Sequence, residues 1–445
     1  MGEWPDKDIW GPGDRGELVL ASQGMRLWTV PCQYRVDGEA LVISGVDETT
    51  IENLRRQRRV AFSVVNFNRS QTVQGSGLVH LPKGSNGSEM TMRLEPYRLV
   101  VGNRRSSSAH SYERRIHGWI PMTEQPTSSE GTFAFWYAVF RAVTLPLSVF
   151  SVVLAGAMAL VNGRFDAPLF LLCAIGAALA HAGANAVSDY FDLKNGVDLP
   201  WALSSHLGAL ASERTDPDLV RSAALACFVG VALVGVVLVT IVGWPVVLFG
   251  LAGLAGGYFY TGGPVNYKYR AMGELWLGLL MGPMTAMGTY YVLSRGWDWS
   301  VFFLSFGLGL LISSVSLVNN LRDLPDDRAA MIRTLPMKLG IVGTKNLYYL
   351  LIGGSYLAAL AAIGFDLRMW PVLAVFGSLP QARRAIAALR STGNSEQDIR
   401  QRARQNPYPL NSIKLHMRFG TLAVVGVGIA WLLALSGLQF LERTL

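Results

Sequence analysis

Two patterns of apolar and polar positions divide the chain. From residue 133 onward, long apolar runs alternate with short polar loops, at 138–161, 167–188, 219–241, 243–261, 272–293, 301–320, 346–365, 369–388 and 416–437. Each is close to the roughly 20 residues that cross a bilayer as a helix. Residues 1–122 instead carry short runs that alternate apolar with polar positions, such as LWTVPCQYRV, EALVISG, RVAFSVV and QTVQGSGLVHL, punctuated by turn signals at Asp37-Gly38 and Lys83–Gly87. Alternation of period two is the mark of half-buried strands. One short helix, TTIENLRRQ, is expected between the second and third strands, capped by Thr49 or Thr50. The pattern therefore predicts an all-α polytopic membrane protein of about nine transmembrane helices (133–445), joined by a linker (123–132) to an N-terminal soluble β-barrel domain (1–122).

Composition agrees with this reading. Of 445 residues, 51% are hydrophobic and only 16% charged, which is too apolar for an ordinary soluble protein. A net charge of +8 would suit a polyanionic partner, but the basic residues are not clustered as a nucleic-acid footprint would be. Lys194, Lys268, Arg270, Arg322, Arg328, Arg333 and Lys338 fall in alternate loops, whereas the intervening loops hold little beyond Arg164, Arg295 and Arg368. By the positive-inside tendency the first set faces the cytoplasm, as does the N-terminal domain, in a multi-pass protein of the cell membrane. The partner is the lipid bilayer, not nucleic acid. MGEWPDKDIW lacks the basic-then-apolar pattern of a signal peptide. Three cysteines, Cys32, Cys173 and Cys227, have no paired spacing and predict neither a disulfide framework nor a thiolate metal site.

The candidate chemistry sits at the expected cytoplasmic ends of two apolar runs. Asn185, Asp189 and Asp192 lie in NAVSDYFDLKNGVD, with Asp198 just beyond, and Asn319, Asp323 and Asp327 lie in NNLRDLPDD. Residues three, four and seven apart share one helix face, so each set forms a carboxylate stripe headed by an amide. Acidic residues at membrane depth are costly and mark function. Hard carboxylate oxygens suit Mg2+, which commonly joins one or two carboxylates to substrate phosphates. Structural ion pairs or helix caps would explain one such stripe; two at the same face favour a site. Asn185 and Asn319 would orient the acids or meet the substrate. Arg322, Arg328 and Arg333 are placed to pair with the acids or grip phosphate. Between the stripes, YFYTGGPVNYKYRAMGEL brings Tyr260, Lys268 and Arg270 to the same surface, with Lys194 after the first stripe. Cations there can stabilise a departing diphosphate, although anchoring at the membrane surface explains them nearly as well.

Four stretches carry a family resemblance: FRAVTLPLSVFSVVLAG from Phe140, NAVSDYFDLKNGVD, YTGGPVNYKYRAMGE with GTYYV after it, and NNLRDLPDDRAAMIRTLPMKLG. In order and spacing they resemble the UbiA superfamily of intramembrane prenyltransferases, and within it the 1,4-dihydroxy-2-naphthoate polyprenyltransferases of menaquinone biosynthesis. The resemblance implies nine helices around a central cavity, Mg2+ held by Asp189, Asp192, Asp323 and Asp327 with Asp198 nearby, a polyprenyl diphosphate donor and an aromatic acceptor. It implies ionisation of an allylic diphosphate and attack by an electron-rich ring. Separately, Tyr34 to His80 resembles the split barrels of the pyridoxamine-phosphate-oxidase type, through a strand pair, NLRRQRRVAFSVV and a strand holding Gly75 and Gly77. Many members of that family bind flavin or deazaflavin.

Three features depart from the prenyltransferase pattern. Met331-Ile332 stands where relatives carry Gly-Lys, the loop LPWALSSHLGALAS lacks the usual basic residue, with His206 its nearest substitute, and the N-terminal domain is foreign to the standard enzyme. They keep open a membrane terpene cyclase of the same superfamily, in which the cation closes on its own chain. A non-catalytic lipid-binding scaffold is the reading from another class.

Overall fold

The computed structural model describes residues 15–22, 29–37, 40–44, 59–66, 71–80, 92–103, 109–115, 118–121, 131–194, 217–324, 327, 333–396, 398–399 and 408–436. The chain divides into two compact units: Met1–Phe135 with Phe191–Pro217, and Trp136–Tyr190 with Asp218–Leu445.

The first unit holds eight antiparallel strands: β1 (Arg15–Ser22), β2 (Thr29–Asp37), β3 (Ala40–Ser44), β4 (Arg59–Asn66), β5 (Gln71–His80), β6 (Met92–Asn103), β7 (Ala109–Arg115) and β8 (Gly118–Pro121). Their order is β3-β2-β1-β4-β5-β6-β7-β8, and β3 pairs in addition with β6. The alternation in the sequence becomes a buried face. Tyr34 and Val36 of β2 and Leu41 and Ile43 of β3 are buried, while Gln33 and Arg35 between them are exposed. The register sets Tyr34 against Ile43, Val36 against Leu41, and Leu41 against buried Leu94, so the apolar side chains meet across the strands. The helix expected over TTIENLRRQ lies outside the described residues.

The second unit is helical. Its elements are α1 (Gly131–Val139, which begins in the first unit), α2 (Leu145–Val161), α3 (Ala167–Lys194), α4 (Pro217–Val242), α5 (Pro245–Tyr258), α6 (Gly273–Leu279), α7 (Thr285–Ser294), α8 (Trp299–Arg322), α9 (Leu335–Phe365), α10 (Leu379–Arg390) and α11 (Tyr408–Leu435). Among the described residues six helical segments are long and apolar enough to cross a membrane: Ala142–Val161, Ala167–Asp192, Asp218–Val242, Trp299–Arg322, Leu335–Phe365 and Tyr408–Leu435.

Of the nine expected spans, six reach that length as single helices among the described residues, and prolines account for much of the difference. The run 272–293 is interrupted by a π-helical turn at Leu280–Met284 containing Pro283. Proline has no N–H to donate, and a π turn leaves carbonyls to be satisfied otherwise. Ser151 of α2 donates to the Met281 carbonyl at 2.6 Å, and Thr285 donates to that of Leu280 at 2.7 Å. The run 369–388 begins as a 3-10 helix, Leu367–Ser378, around Pro371. It continues as amphipathic α10, which buries Gln381, Ala382, Ala385 and Leu389 and exposes Arg383 and Arg384. The run 243–261 yields only the 14 residues of α5 before the Tyr-Thr-Gly-Gly-Pro turn. Gly340, at φ 67°, breaks α9 near its start, which is why its straight portion matches the shorter expected span.

Helix α8 is the most enclosed of these six segments, with most of its apolar length buried, whereas α4 is largely exposed. It is pinned to the π-turn segment by a glycine crossing. A Cβ on Gly278 would collide with Ser313 Oγ and stand 2.7 Å from the Gly309 carbonyl oxygen, and one on Gly282 would stand 2.6 Å from Gly309 Cα. Only bare backbones fit there. Asp298 caps α8 by accepting from the amides of Ser300 (2.8 Å) and Val301 (3.2 Å). Trp297, Trp299, Phe302, Phe303 and Phe365 cluster at the same end, a composition that suits a membrane–water boundary.

Candidate active site

The first stripe is built on α3. Asp189 is 1% exposed and accepts a hydrogen bond from Arg141 Nη2 at 2.8 Å. Asn185, one turn earlier, donates through Nδ2 to the Phe140 carbonyl at 3.1 Å. Amide and acid therefore grip the same turn, the link between α1 and α2. Arg141 adopts φ 48°, ψ 51°, a left-handed conformation uncommon for a residue with a side chain, and it precedes a 3-10 turn over Ala142–Thr144. Thr144 donates to the Arg141 carbonyl at 2.8 Å. The strained backbone aims the guanidinium at α3, which is the kind of expense found at functional positions. Lower on the same helix, His181 Nδ1 lies 2.9 Å from Ser148 Oγ, which donates to the Leu145 carbonyl. Asp192 is buried one turn beyond Asp189, and Lys194 is the last residue of α3. Asp198 lies outside the described residues.

The second stripe caps α8. Arg322 embraces its neighbour Asp323 with both prongs, Nε to Oδ1 at 2.7 Å and Nη2 to Oδ2 at 2.9 Å. A two-pronged pair of this kind is the strongest form of carboxylate recognition. The backbone continues the turn, with Asp323 N donating to Asn319 O at 3.0 Å and Asp327 N to Asp323 O at 2.8 Å. Asp327 is buried and accepts from Thr334 Oγ1 at 3.2 Å. Asn319 is half-buried, whereas Asn320 turns the other way and donates to Glu274 Oε1 at 2.8 Å. Arg328 lies outside the described residues. Arg333 is exposed and its backbone bridges to Arg270.

The connecting turn holds its basic residues in place by other means. Lys268 Nζ sits 5.9 Å from the Tyr260 ring centroid and 5.8 Å from that of Tyr269, and Glu274 lies within reach of its charge. Tyr260 packs edge-on against Tyr267 at 5.5 Å. Tyr267 donates its hydroxyl to the Gly256 carbonyl, and burial pushes its phenol upward from the usual range, so it stays a neutral donor. Arg270 is exposed and donates to the Pro264 carbonyl at 2.7 Å, while Lys338 reaches the Arg270 carbonyl at 3.5 Å. In this structure Arg270 therefore braces the turn.

Two residues that spacing did not reveal belong beside these acids. Arg141 is one; its partner is 48 residues away, and no local pattern announces it. Tyr408 opens α11 and is 2% exposed. It lies within electrostatic reach of both Asp323 and Arg322, and its hydroxyl has no hydrogen-bond partner among the described residues. Arg322 in turn lies within reach of the Arg141 charge, so the Asp189 and Asp323 pairs converge on one region of the helical unit.

As for metal, no group of three or more His, Cys, Asp or Glu side chains is assembled as a cage among the described residues. The donors present are the buried carboxylate oxygens of Asp189, Asp192, Asp323 and Asp327, with no soft ligand among them. That set fits a hard divalent cation of the Mg2+ kind, which needs only one or two carboxylates when phosphate oxygens complete its shell.

Buried acids clasped by arginines thus lie where the helices of the second unit meet its connecting turns. The UbiA prenyltransferase family model matches residues 149–403, more than half of the chain. The chain belongs to that family; it is a multi-pass membrane prenyltransferase. It is 25% identical over 298 residues to the 1,4-dihydroxy-2-naphthoate octaprenyltransferase of Bacillus subtilis, covering 65% of this chain and 91% of the relative. It is 32% identical over 267 residues to the enzyme of the same name from Mycobacterium tuberculosis, covering 58% and 87%. Among solved structures it is similar to a UbiA homologue from Archaeoglobus fulgidus bound to GPP and Mg2+, at 12% identity, 68% and 99% coverage and a TM-score of 0.43, a likeness too distant to carry the assignment. The family match starts beyond the strands, and nothing in these relatives supports the split-barrel resemblance or the flavin or deazaflavin expected with it. The scaffold reading is set aside by membership of an enzyme family.

Proposed function

We propose that the protein transfers a prenyl group from a polyprenyl diphosphate to an aromatic, naphthoate-type acceptor, a step of menaquinone formation, with Mg2+ as cofactor and the site opening to the cytoplasm. The observation that carries this reading is the convergence of Asp189 with Arg141 and Asp323 with Arg322, paired acids and cations in the helical unit. The names of the bacterial relatives supply the acceptor class.

Asp189, Asp192, Asp323 and Asp327 would hold the metal, with Asp198 a further candidate. The bound metal supplies Lewis-acid neutralisation of the leaving diphosphate. The chain's own residues do the rest. Arg141, Arg322, Arg328, Arg333 and Lys268 contribute positive charge as the C–O bond of the allylic diphosphate breaks and negative charge gathers on the departing oxygen. Lys194 and Tyr260 are further candidates for contact with the substrate. Asn185 keeps Asp189 and Arg141 in register by anchoring the Phe140 turn, and Asn319, one turn before Asp323, would meet the substrate or orient that acid. The apolar bundle keeps water from the allyl cation until the acceptor ring attacks it, and the ring then loses a proton or carbon dioxide to regain aromaticity.

The test is a product assay on detergent-purified full-length protein with Mg2+ and a panel of prenyl diphosphates, with and without 1,4-dihydroxy-2-naphthoate, read by mass. A prenylated naphthoquinol is the expected product. A cyclised hydrocarbon or alcohol formed without acceptor would replace this reading with a terpene cyclase on the same frame.

A further inference from the structure

Asp189 and Asp323, which belong to different motifs, are held alike, each by a guanidinium at 2.7 to 2.8 Å. Arg322 occupies both oxygens of Asp323. A carboxylate engaged on both oxygens is already neutralised, and a divalent cation must compete with the arginine for it. Separating a buried pair is costly unless each partner finds a replacement. Asp323 would find it in the metal. Arg322 needs an acceptor, and the Tyr408 hydroxyl is buried, unpartnered among the described residues and within electrostatic reach of Arg322. A buried hydroxyl without a partner calls for an explanation, and a bond made in another state of the protein is one.

Resting on the metal-dependent reading above, we propose that Arg322 and Arg141 are resident counter-ions of the metal-free site. They pair with the Asp323 and Asp189 carboxylates and keep them in place, and they yield the carboxylates when the divalent cation arrives. Arg322 passes to the Tyr408 hydroxyl, which makes Tyr408 a positioning residue for the loaded site. The exchange gives the Asp323 carboxylate to the metal and leaves Arg322 with an acceptor. It also separates two properties that usually move together, because Arg322 opposes metal binding while it supports turnover.

The experiment is a Mn2+ titration of the detergent-purified full chain without substrate, read by electron paramagnetic resonance. Arg322→Gln is expected to bind Mn2+ about tenfold more tightly, the equivalent of about 1.4 kcal/mol, while its turnover falls. Tyr408→Phe, which removes one oxygen and keeps the ring, is expected to weaken Mn2+ binding in the wild-type background but not in Arg322→Gln. Equal or weaker binding by Arg322→Gln overturns the exchange, as does a Tyr408→Phe effect that is the same in both backgrounds. Wild type and Arg322→Gln that both fail to bind Mn2+ would overturn the metal-site reading itself, and the exchange with it.

Discussion

The two aspartate motifs look alike in sequence and are supported differently in the fold. Asp323 takes its guanidinium from the adjacent residue, Arg322, so pair and motif come as one local unit at the end of α8. Asp189 takes its guanidinium from Arg141, 48 residues away, on a turn held in a left-handed backbone and tied a second time by Asn185. The comparison teaches that one motif carries its counter-ion with it, whereas the other uses its counter-ion to fasten the entrance of α2 to the end of α3.

The largest effect tests what the motifs share. Asp189→Ala and Asp323→Ala should each lower turnover by about a thousandfold or more, as expected for groups that act as a unit on the leaving diphosphate, with membrane insertion intact; full activity in either would remove the metal-site assignment. Arg141→Ala and Arg322→Ala should each lose about a hundredfold in turnover, the scale of one lost charge-stabilising donor. Stability should then separate them. Arg141→Ala leaves buried Asp189 short of a partner and loosens a tertiary tie, so thermal unfolding in detergent should show a loss of about 1–3 kcal/mol, whereas Arg322→Ala, which cuts a local pair, should lose less. Equal losses would break the comparison.

Smaller effects lie in the connecting turn. Asn320→Ala leaves the buried Glu274 carboxylate without its side-chain donor and should cost about 1–3 kcal/mol by the same unfolding assay, with KM for the donor unchanged. Arg270→Ala is expected to do least. Its guanidinium is exposed on the Pro264 carbonyl, so the change should stay within about 0.5 kcal/mol and leave most of the turnover. A collapse of turnover there would return Arg270 to the catalytic role that its sequence position first suggested.

What could be read from sequence follows the same division. Asp189, Asp192, Asp323 and Asp327 stood out because helix periodicity turns their spacing into a shared face, and Arg322 because it adjoins Asp323. Six apolar runs were legible because length and hydropathy suffice for an uninterrupted helix. The π turn at Pro283 and the 3-10 segment at Pro371 were not, since an apolar run containing a proline reads as a span unless one asks which carbonyls it frees. Arg141 and Tyr408 were hidden for a different reason. Each meets the acids only through tertiary packing, and neither sits at a spacing that marks it. In the first unit, alternation located Tyr34, Val36, Leu41 and Ile43 on one buried face, but alternation is common to many antiparallel sheets and names no ligand.

The contact of Gly278 and Gly282 with Gly309 has a bearing on how this enzyme can be altered. Where backbones touch, there is no side chain to trim or enlarge, so the spacing of these two segments is not adjustable by substitution. Changes made to the enzyme for other purposes would have to leave this crossing alone. A variant library that randomises these three glycines should return almost nothing but glycine, and so mark which part of the bundle is fixed.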